Sequence, residues 1–100
     1  MLPFAVYRVV GQSMAPRIAE SDYVVVNKLS YLLGKPREGD VVVAKHPNTG
    51  RLIVKRISEI RADKYVLRGD NERESTDSRG FGPVTKKMLV GKVLRVLGGT

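Results

Sequence analysis

The sequence contains no cysteine and only one histidine, His46. Without cysteine there is neither a disulfide framework nor a Cys/His zinc site, so a domain of this size must be stabilised by packing. No apolar run is long enough to cross a bilayer, and the apolar start "LPFAV" lacks the basic region and the longer apolar region of a secretory signal. We therefore expect one domain over residues 1–100, with no metal and no cofactor, located in the cytoplasm or peripherally at a membrane.

Acidic residues are in the minority, with 10 Asp plus Glu against 18 Lys plus Arg and a formal net charge of +8. Such an excess favours an acidic partner, for example nucleic acid or anionic lipid. The basic residues are spread along the chain, however, and few aromatic side chains could stack on bases. We interpret the charge as a basic solvated surface and expect no specific nucleic-acid partner. A non-enzymatic basic β-barrel that binds a ligand is the alternative function.

Short runs rich in valine and isoleucine alternate with turn-forming clusters, a pattern typical of an antiparallel all-β domain. Short helices are predicted only over residues 14–20 and 84–89. About six strands in a chain of this length predict a small coiled sheet or a partly closed barrel. The predicted strands cover residues 4–10, 22–28, 40–46, 51–60, 64–69 and 90–97.

The stretch "GQSMAP", residues 11–16, places Ser13 in a turn. A serine hydroxyl is a poor nucleophile unless a base lies within hydrogen-bonding reach, and that base is most often histidine. His46 precedes a proline in a predicted turn, where histidine is more often solvated than oriented as a base. The stretch also lacks the glycine that a G-x-S-x-G elbow has two residues after its serine. A Ser-His-Asp triad is therefore the weaker interpretation.

Lys55 is a second candidate base. In "RLIVKRISEI" the strand period of two places it on one face with Ile53 and Ile57. Apolar neighbours disfavour the ammonium form, and a lysine that acts as a base near neutrality needs its pKa lowered from about 10.4 to about 7 or 8. On periodicity alone, a lysine whose amine reaches water along the strand surface is the commoner arrangement.

The polar loop "GDNERESTDSR", residues 69–79, carries several carboxylates and hydroxyls together with Arg79. Asp77 and Arg79 are close enough in sequence to form an ion pair, although an exposed pair stabilises little. The ion pair would serve to order the loop, and an ordered loop could hold a hydroxyl such as that of Ser75 in place.

Taken in order, "GQSMAP", "GDVVVAKHP", "VKRI" and "GDNERESTDSRGFG" resemble the sequence boxes of the type I signal peptidase family of Ser/Lys proteases, over about residues 9–93. The resemblance implies that Ser13 is the nucleophile, that Lys55 is the general base, and that the Ser75 hydroxyl orients the lysine. It also assigns residues to the substrate and oxyanion vicinity (Gly11, Gln12, Met14 and Pro16) and to a structural loop (Asp70, Asn71, Asp77, Ser78 and Arg79).

The function implied by this resemblance is a serine endopeptidase that removes an N-terminal leader or propeptide after small residues. Its substrate would be a membrane preprotein, or a propeptide such as that of nickel superoxide dismutase. The sequence departs from the family in having Gly11 where some members carry an oxyanion serine, and Arg17 where threonine is frequent. Only 13 residues separate Lys55 from Gly69, which leaves no room for the β-domain that many bacterial members insert. With no anchor apparent, we expect a soluble protease or one that contacts a membrane peripherally.

Overall fold

The computed structural model of the chain describes residues 3–71 and 78–98. Within these residues, seven strands form one antiparallel sheet in the order β1-β2-β7-β3-β4-β5-β6. The strands are β1 (Phe4–Arg8), β2 (Tyr23–Asn27), β3 (Val41–Lys45), β4 (Leu52–Arg61), β5 (Lys64–Arg68), β6 (Val84–Thr85) and β7 (Leu89–Leu97). The predicted all-β, mainly antiparallel fold is confirmed.

The helical parts of the described chain are single turns, α1 (Ser30–Leu33), α2 (Ser78–Phe81) and a 3-10 turn (Lys86–Met88). None of them approaches the length and apolar character of a membrane-spanning helix. The helix predicted over residues 14–20 is wrong: those residues form turns, and Pro16 lacks the amide hydrogen that a continuing helix needs. Of the short helix predicted over 84–89 only the 3-10 turn over Lys86–Met88 forms, because Val84 and Thr85 pair with β5.

Strand β3 is buried on both faces of the sheet. Val42, Val43 and Ala44 are each no more than 1% exposed, which explains why this strand reads as a continuous apolar run. Because side chains alternate along a strand, Val42 and Ala44 join one core and Val43 joins the other. The first cluster comprises Tyr31, Val42, Ala44, Ile57, Tyr65, Leu67, Val84 and Leu89. The second cluster comprises Val9, Met14, Ile18, Val24, Val26 and Val43.

The sheet curls because its pairings contain irregularities that increase local twist. Register shifts occur where β7 pairs with β2, between Val25 and Val26, and where it pairs with β3, between Val43 and Ala44. Among the described strands β1 pairs only with β2, and the pairing of β4 with β5 begins at Arg56. The edge of β1 and the first half of β4 therefore carry no further strand partner.

The α1 turn is fixed to the sheet while two of its side chains point away from it. The Tyr31 hydroxyl donates a hydrogen bond to Asp40 Oδ2 at 2.7 Å, and Lys92 Nζ lies 3.5 Å from Asp40 Oδ1. Burial, reinforced by the bond to Asp40, raises the pKa of Tyr31. Leu32 and Leu33 are 73% and 85% exposed, so the turn presents two adjacent leucines at the surface.

Gly91 occupies a place in β7 that excludes any side chain. A Cβ there would lie 2.5 Å from Asn27 O and 2.7 Å from Val26 Cγ1.

We expect Gly91→Ala to destabilise the fold by about 1–3 kcal/mol, because the backbone obstacle can move only by disturbing the β2–β7 pairing. Urea unfolding measures the change. Gly98→Ala is the matched control, since a Cβ at Gly98 would meet nothing within 4 Å; equal stability of the two variants would contradict the crowding argument.

Candidate active site

A cleft of about 510 Å³ lies between the end of β1 and the first half of β4. One wall is formed by residues 7–14 and the other by residues 51–55, with Val43, His46 and Thr49 completing the lining. Ser13 and Lys55, which are far apart in the sequence, both line this cleft. The end of β1 and the first half of β4, which border the cleft, are the strand segments that lack a further strand partner among the described residues.

Ser13 is half-buried in the turn that follows β1. Val9 before it and Met14 after it are 6% and 1% exposed, so buried side chains fix the turn on both sides of the serine. Gly11 has a φ of 87°, a left-handed conformation that side chains rarely adopt, which explains a glycine two residues before the serine. Gly11, Gln12 and Met14 line the cleft with Ser13, whereas Pro16 is exposed and is not among the lining residues.

Lys55 is only 4% exposed, so its amine does not reach water along the strand surface. It pairs with Val42 of β3 in the sheet and has Ile57, which is fully buried, two residues further along its own face. No buried side-chain nitrogen or oxygen of the described residues lacks a hydrogen-bond partner. Burial by itself disfavours the charged form of an amine.

Arg56 links β4 to the segment that follows β5. Its Nε and Nη2 donate to the two carboxylate oxygens of Asp70 at 2.9 and 2.8 Å, and its Nη1 donates to Gly39 O at 2.8 Å. This two-point geometry is the strongest form of an arginine–carboxylate pair. The hydrogen bonds from Arg56 hold the pKa of Asp70 below its usual range, aided by the charges of Arg56 and Arg17 and opposed by partial burial.

Asp70 and Asn71 connect this ion pair to the serine turn. The backbone N–H of Asn71 donates to Ser13 O at 2.8 Å, and its side-chain amide donates to Gln12 O at 3.0 Å. The N–H of Asp70 points to Met14 Sδ at 3.4 Å. The serine turn is thus bound to a segment that Arg56 holds against β4, the strand that carries Lys55.

His46 lines the same cleft, but its hydrogen bonds differ from those of a general base. Its Nδ1 accepts bonds from the backbone N–H groups of Asn48 and Thr49 at 3.1 and 3.3 Å, and its ring lies 4.7 Å from that of Phe81. In a neutral imidazole with Nδ1 as acceptor, Nε2 carries the hydrogen and cannot accept another. His46 therefore organises the turn between β3 and β4.

The remaining predicted site residues are placed only in part. Ser75 and Asp77 lie outside the described residues, and with them the predicted Asp77–Arg79 ion pair. Ser78 and Arg79 lie in α2, described by its backbone. Within the described ranges, no three His, Asp or Glu side chains gather where they could hold a metal ion.

The sequence alone did not predict that Arg56 joins β4 to the segment after β5. The alternation along β4 places it on the face opposite Lys55, but period two says nothing about a partner 14 residues away. Two sequence features could have suggested the ion pair: the arginine next to the candidate base, and the aspartate of "GDN".

Comparisons with known proteins agree on a family. The sequence matches the model of the family described as "Signal peptidase, peptidase S26" over residues 1–60 and 57–97. It is similar to mitochondrial inner membrane protease subunit 1 of Homo sapiens, with 34% identity over 104 residues that cover 83% of this chain and 63% of that protein.

The same subunit of Xenopus tropicalis is 34% identical over 108 residues, covering 86% of this chain and 65% of that protein. Signal peptidase I of Bacillus caldolyticus is 31% identical over 93 residues, covering 90% of this chain and 50% of that protein. This chain thus spans less than two thirds of the length of these relatives.

The Arg56–Asp70 pair predicts a pH-dependent contribution to stability. Because the pKa of Asp70 is lowered in the folded chain, the contribution is complete above the ordinary value of 3.8 and is lost as the pH falls through the lowered pKa. We expect Asp70→Asn to reduce the free energy of unfolding at pH 7 by about 1 kcal/mol, since the pair is partly solvated. The loss should vanish at acidic pH.

Urea unfolding of the wild type and the variant between pH 2 and pH 7 measures this difference. Glu38→Gln is the control, because Glu38 is exposed and has no ion pair recorded among the described residues. A loss of stability in Asp70→Asn that stays constant down to pH 2 would show that the carboxylate charge is not its cause.

Proposed function

Because the chain belongs to the signal peptidase family, peptidase S26, we propose that it is a serine endopeptidase with Ser13 as nucleophile and Lys55 as general base. The observation that carries the proposal is that both residues line one cleft and that the lysine is the buried one. Burial favours the neutral amine, which is the form that can take a proton from a hydroxyl. The base for Ser13 is then present without histidine.

The proposed reaction is acyl transfer in two stages. The Ser13 hydroxyl attacks the peptide carbonyl while its proton passes to Lys55 Nζ, and Lys55 then gives that proton to the departing amine. In the second stage Lys55 takes a proton from water as the water oxygen attacks the ester carbonyl, and it returns that proton to the Ser13 oxygen as the ester C–O bond breaks. This step releases the acid product and regenerates Ser13 and the neutral amine. By resemblance to the family, the Ser75 hydroxyl orients the lysine amine.

The negative charge that develops on the carbonyl oxygen needs hydrogen-bond donors already in place. The backbone N–H of Ser13 has no acceptor recorded in the described part of the chain, so it is available for this role. The N–H of Gly11 is engaged with Glu20 Oε1 at 3.3 Å. The bonds from Asn71 hold the carbonyls of Gln12 and Ser13, which keeps the turn from rotating as charge develops.

The substrate that suits such a cleft is an extended peptide. Unpaired strand edges on both walls offer backbone donors and acceptors along its length, as in recognition by strand addition. By resemblance, the peptide carries small residues at the first and third positions before the scissile bond and belongs to an N-terminal leader or propeptide. The propeptide of nickel superoxide dismutase is one candidate.

We also propose that this chain contacts a membrane surface peripherally. Two relatives carry the name of an inner membrane protease subunit. In this chain the adjacent leucines of α1, Leu32 and Leu33, are exposed, as are Phe4 and Val6 of β1. Such side chains support a peripheral contact with lipid.

We expect Ser13→Ala and Lys55→Met each to lower kcat for peptide cleavage at least about a thousandfold while the fold persists. Lys55→Met should leave thermal stability unchanged or raised by about 1 kcal/mol, because it removes a buried amine and keeps an apolar stem. Lys55→Arg should be inactive and less stable, since a guanidinium is larger and stays charged. Peptide cleavage assays and thermal melts measure both effects.

A serine-directed acylating probe supplies the control. It should label the wild type and fail to label Ser13→Ala. Absence of labelling in a folded wild type, together with salt-sensitive binding of an acidic polymer, would favour the basic β-barrel that binds a ligand.

The pH dependence separates Lys55 from His46 as the base. Only the neutral amine accepts a proton, so kcat/KM should rise with pH along a limb that belongs to Lys55. His46→Ala should keep that limb, even if the hairpin it organises becomes less stable. A pH-rate profile of each protein measures the limb, and its disappearance in His46→Ala would reassign the base to the histidine.

A further inference from the structure

The cleft is lined by cations and by no carboxylate in the described part of the chain. Arg8 and Arg51 are its exposed cationic residues, Lys55 is its buried amine, and Tyr7 and His46 are its other titratable residues. The carboxylate of Glu20 is not a lining residue but accepts a hydrogen bond from the Gly11 backbone N–H at 3.3 Å. A cleft lined by one sign of charge raises the local concentration of the opposite charge.

The two arginines have no recorded carboxylate partner among the described residues. The ion pairs found there join Arg56 to Asp70, Arg61 to Glu59 and Lys92 to Asp40. Arg8 Nη2 donates only to the Ser21 hydroxyl, at 3.1 Å. The positive charges of Arg8 and Arg51 are therefore not neutralised by an ion pair within these residues.

Three side chains of the second wall form a row along which solvent exposure changes. Arg51, Ile53 and Lys55 alternate with their neighbours and so share one face of the chain entering β4. Their exposure increases away from the proposed reaction centre, because Lys55 is buried, Ile53 is half-buried and Arg51 is exposed. At about 3.3 Å per residue, Arg51 lies about 13 Å along the strand from Lys55.

From this row we propose that the cleft selects substrates with an acidic side chain four residues before the residue whose carbonyl is attacked. The inference rests on the proposed function, which places that carbonyl between Ser13 and Lys55. An extended peptide that runs parallel to β4 has about the same rise per residue, so its residue four positions upstream lies beside Arg51. The proposal therefore includes this parallel direction. A guanidinium binds a carboxylate at two points, which gives the position its selectivity. Arg8 adds positive charge from the opposite wall.

The test uses fluorogenic peptides with alanine at the first and third positions before the scissile bond and glutamate, glutamine or lysine at the fifth. For the wild type we expect kcat/KM to fall in that order, by about three- to tenfold at each step and chiefly through KM, because the pair is partly solvated. The preference should weaken as salt is added. Equal cleavage of the three peptides would overturn the inference while leaving the protease assignment intact.

Charge reversal gives the sharper test. In Arg51→Glu the order should invert, so that the lysine peptide becomes the best substrate. Arg95→Glu is the matched control, because Arg95 is exposed on β7 and does not line the cleft, and it should keep the wild-type order. An unchanged order in Arg51→Glu, or an inverted order in Arg95→Glu, would contradict a role for Arg51.

A binding measurement separates this inference from the proposed function. Fluorescence anisotropy of the same peptides with Ser13→Ala reports affinity without cleavage, and the glutamate peptide should bind about three- to tenfold more tightly than the glutamine peptide. If the wild type cleaves none of the peptides but Ser13→Ala keeps this order, the proposed protease fails and the acidic-ligand site stands. If anionic vesicles bind through Arg51 while no peptide discriminates, the arginines serve a lipid surface and the inference is wrong.

Discussion

The hydrogen-bonded pair between Arg56 and Asp70 is the link that sets the serine turn relative to the strand of the buried lysine. Lys55 and Arg56 are neighbours on β4 and point to opposite faces of the sheet. Because Arg56 binds Asp70, the same short piece of strand carries the buried lysine and the contact to the segment after β5. Asn71, next to Asp70, binds the carbonyl of Ser13. These hydrogen bonds thus link two chain segments that share no sheet pairing, and a reaction between side chains requires such fixed relative placement.

The cleft exists because the sheet stops pairing at two places. β1 has β2 as its one described neighbour, and β5 pairs with β4 only from Arg56 onward. Open edges of this kind usually expose a protein to aggregation. Here the curl produced by the irregular pairings of β7 turns both edges toward one cleft, where a peptide could supply the missing strand. Strand β3 lies at the centre of the sheet and is buried on both sides.

Much of the fold could be predicted from local pattern, because alternation and valine-rich runs describe strands well. The six predicted strands all occur, with ends that differ by up to two residues. The short β6 and the single turns α1 and α2 were not predicted, since so few residues carry no period. A helix was predicted over 14–20, where Pro16 and tertiary packing impose turns. For the site, periodicity could place Lys55 on a face with Ile53 and Ile57. It could not reveal that Arg56 meets Asp70, because strand pairing and loop contacts are non-local.

The burial of Lys55 also bears on how related chains would diverge. An amine enclosed beside Ile57 and opposite Val42 is a residue that stability alone would not select. Under the proposed mechanism, a lineage that had ceased to use the amine would tolerate methionine or leucine at this position, and such substitutions would accumulate. The residue at this one position would then separate descendants with the proposed peptidase activity from those that keep only the fold, before either has been purified.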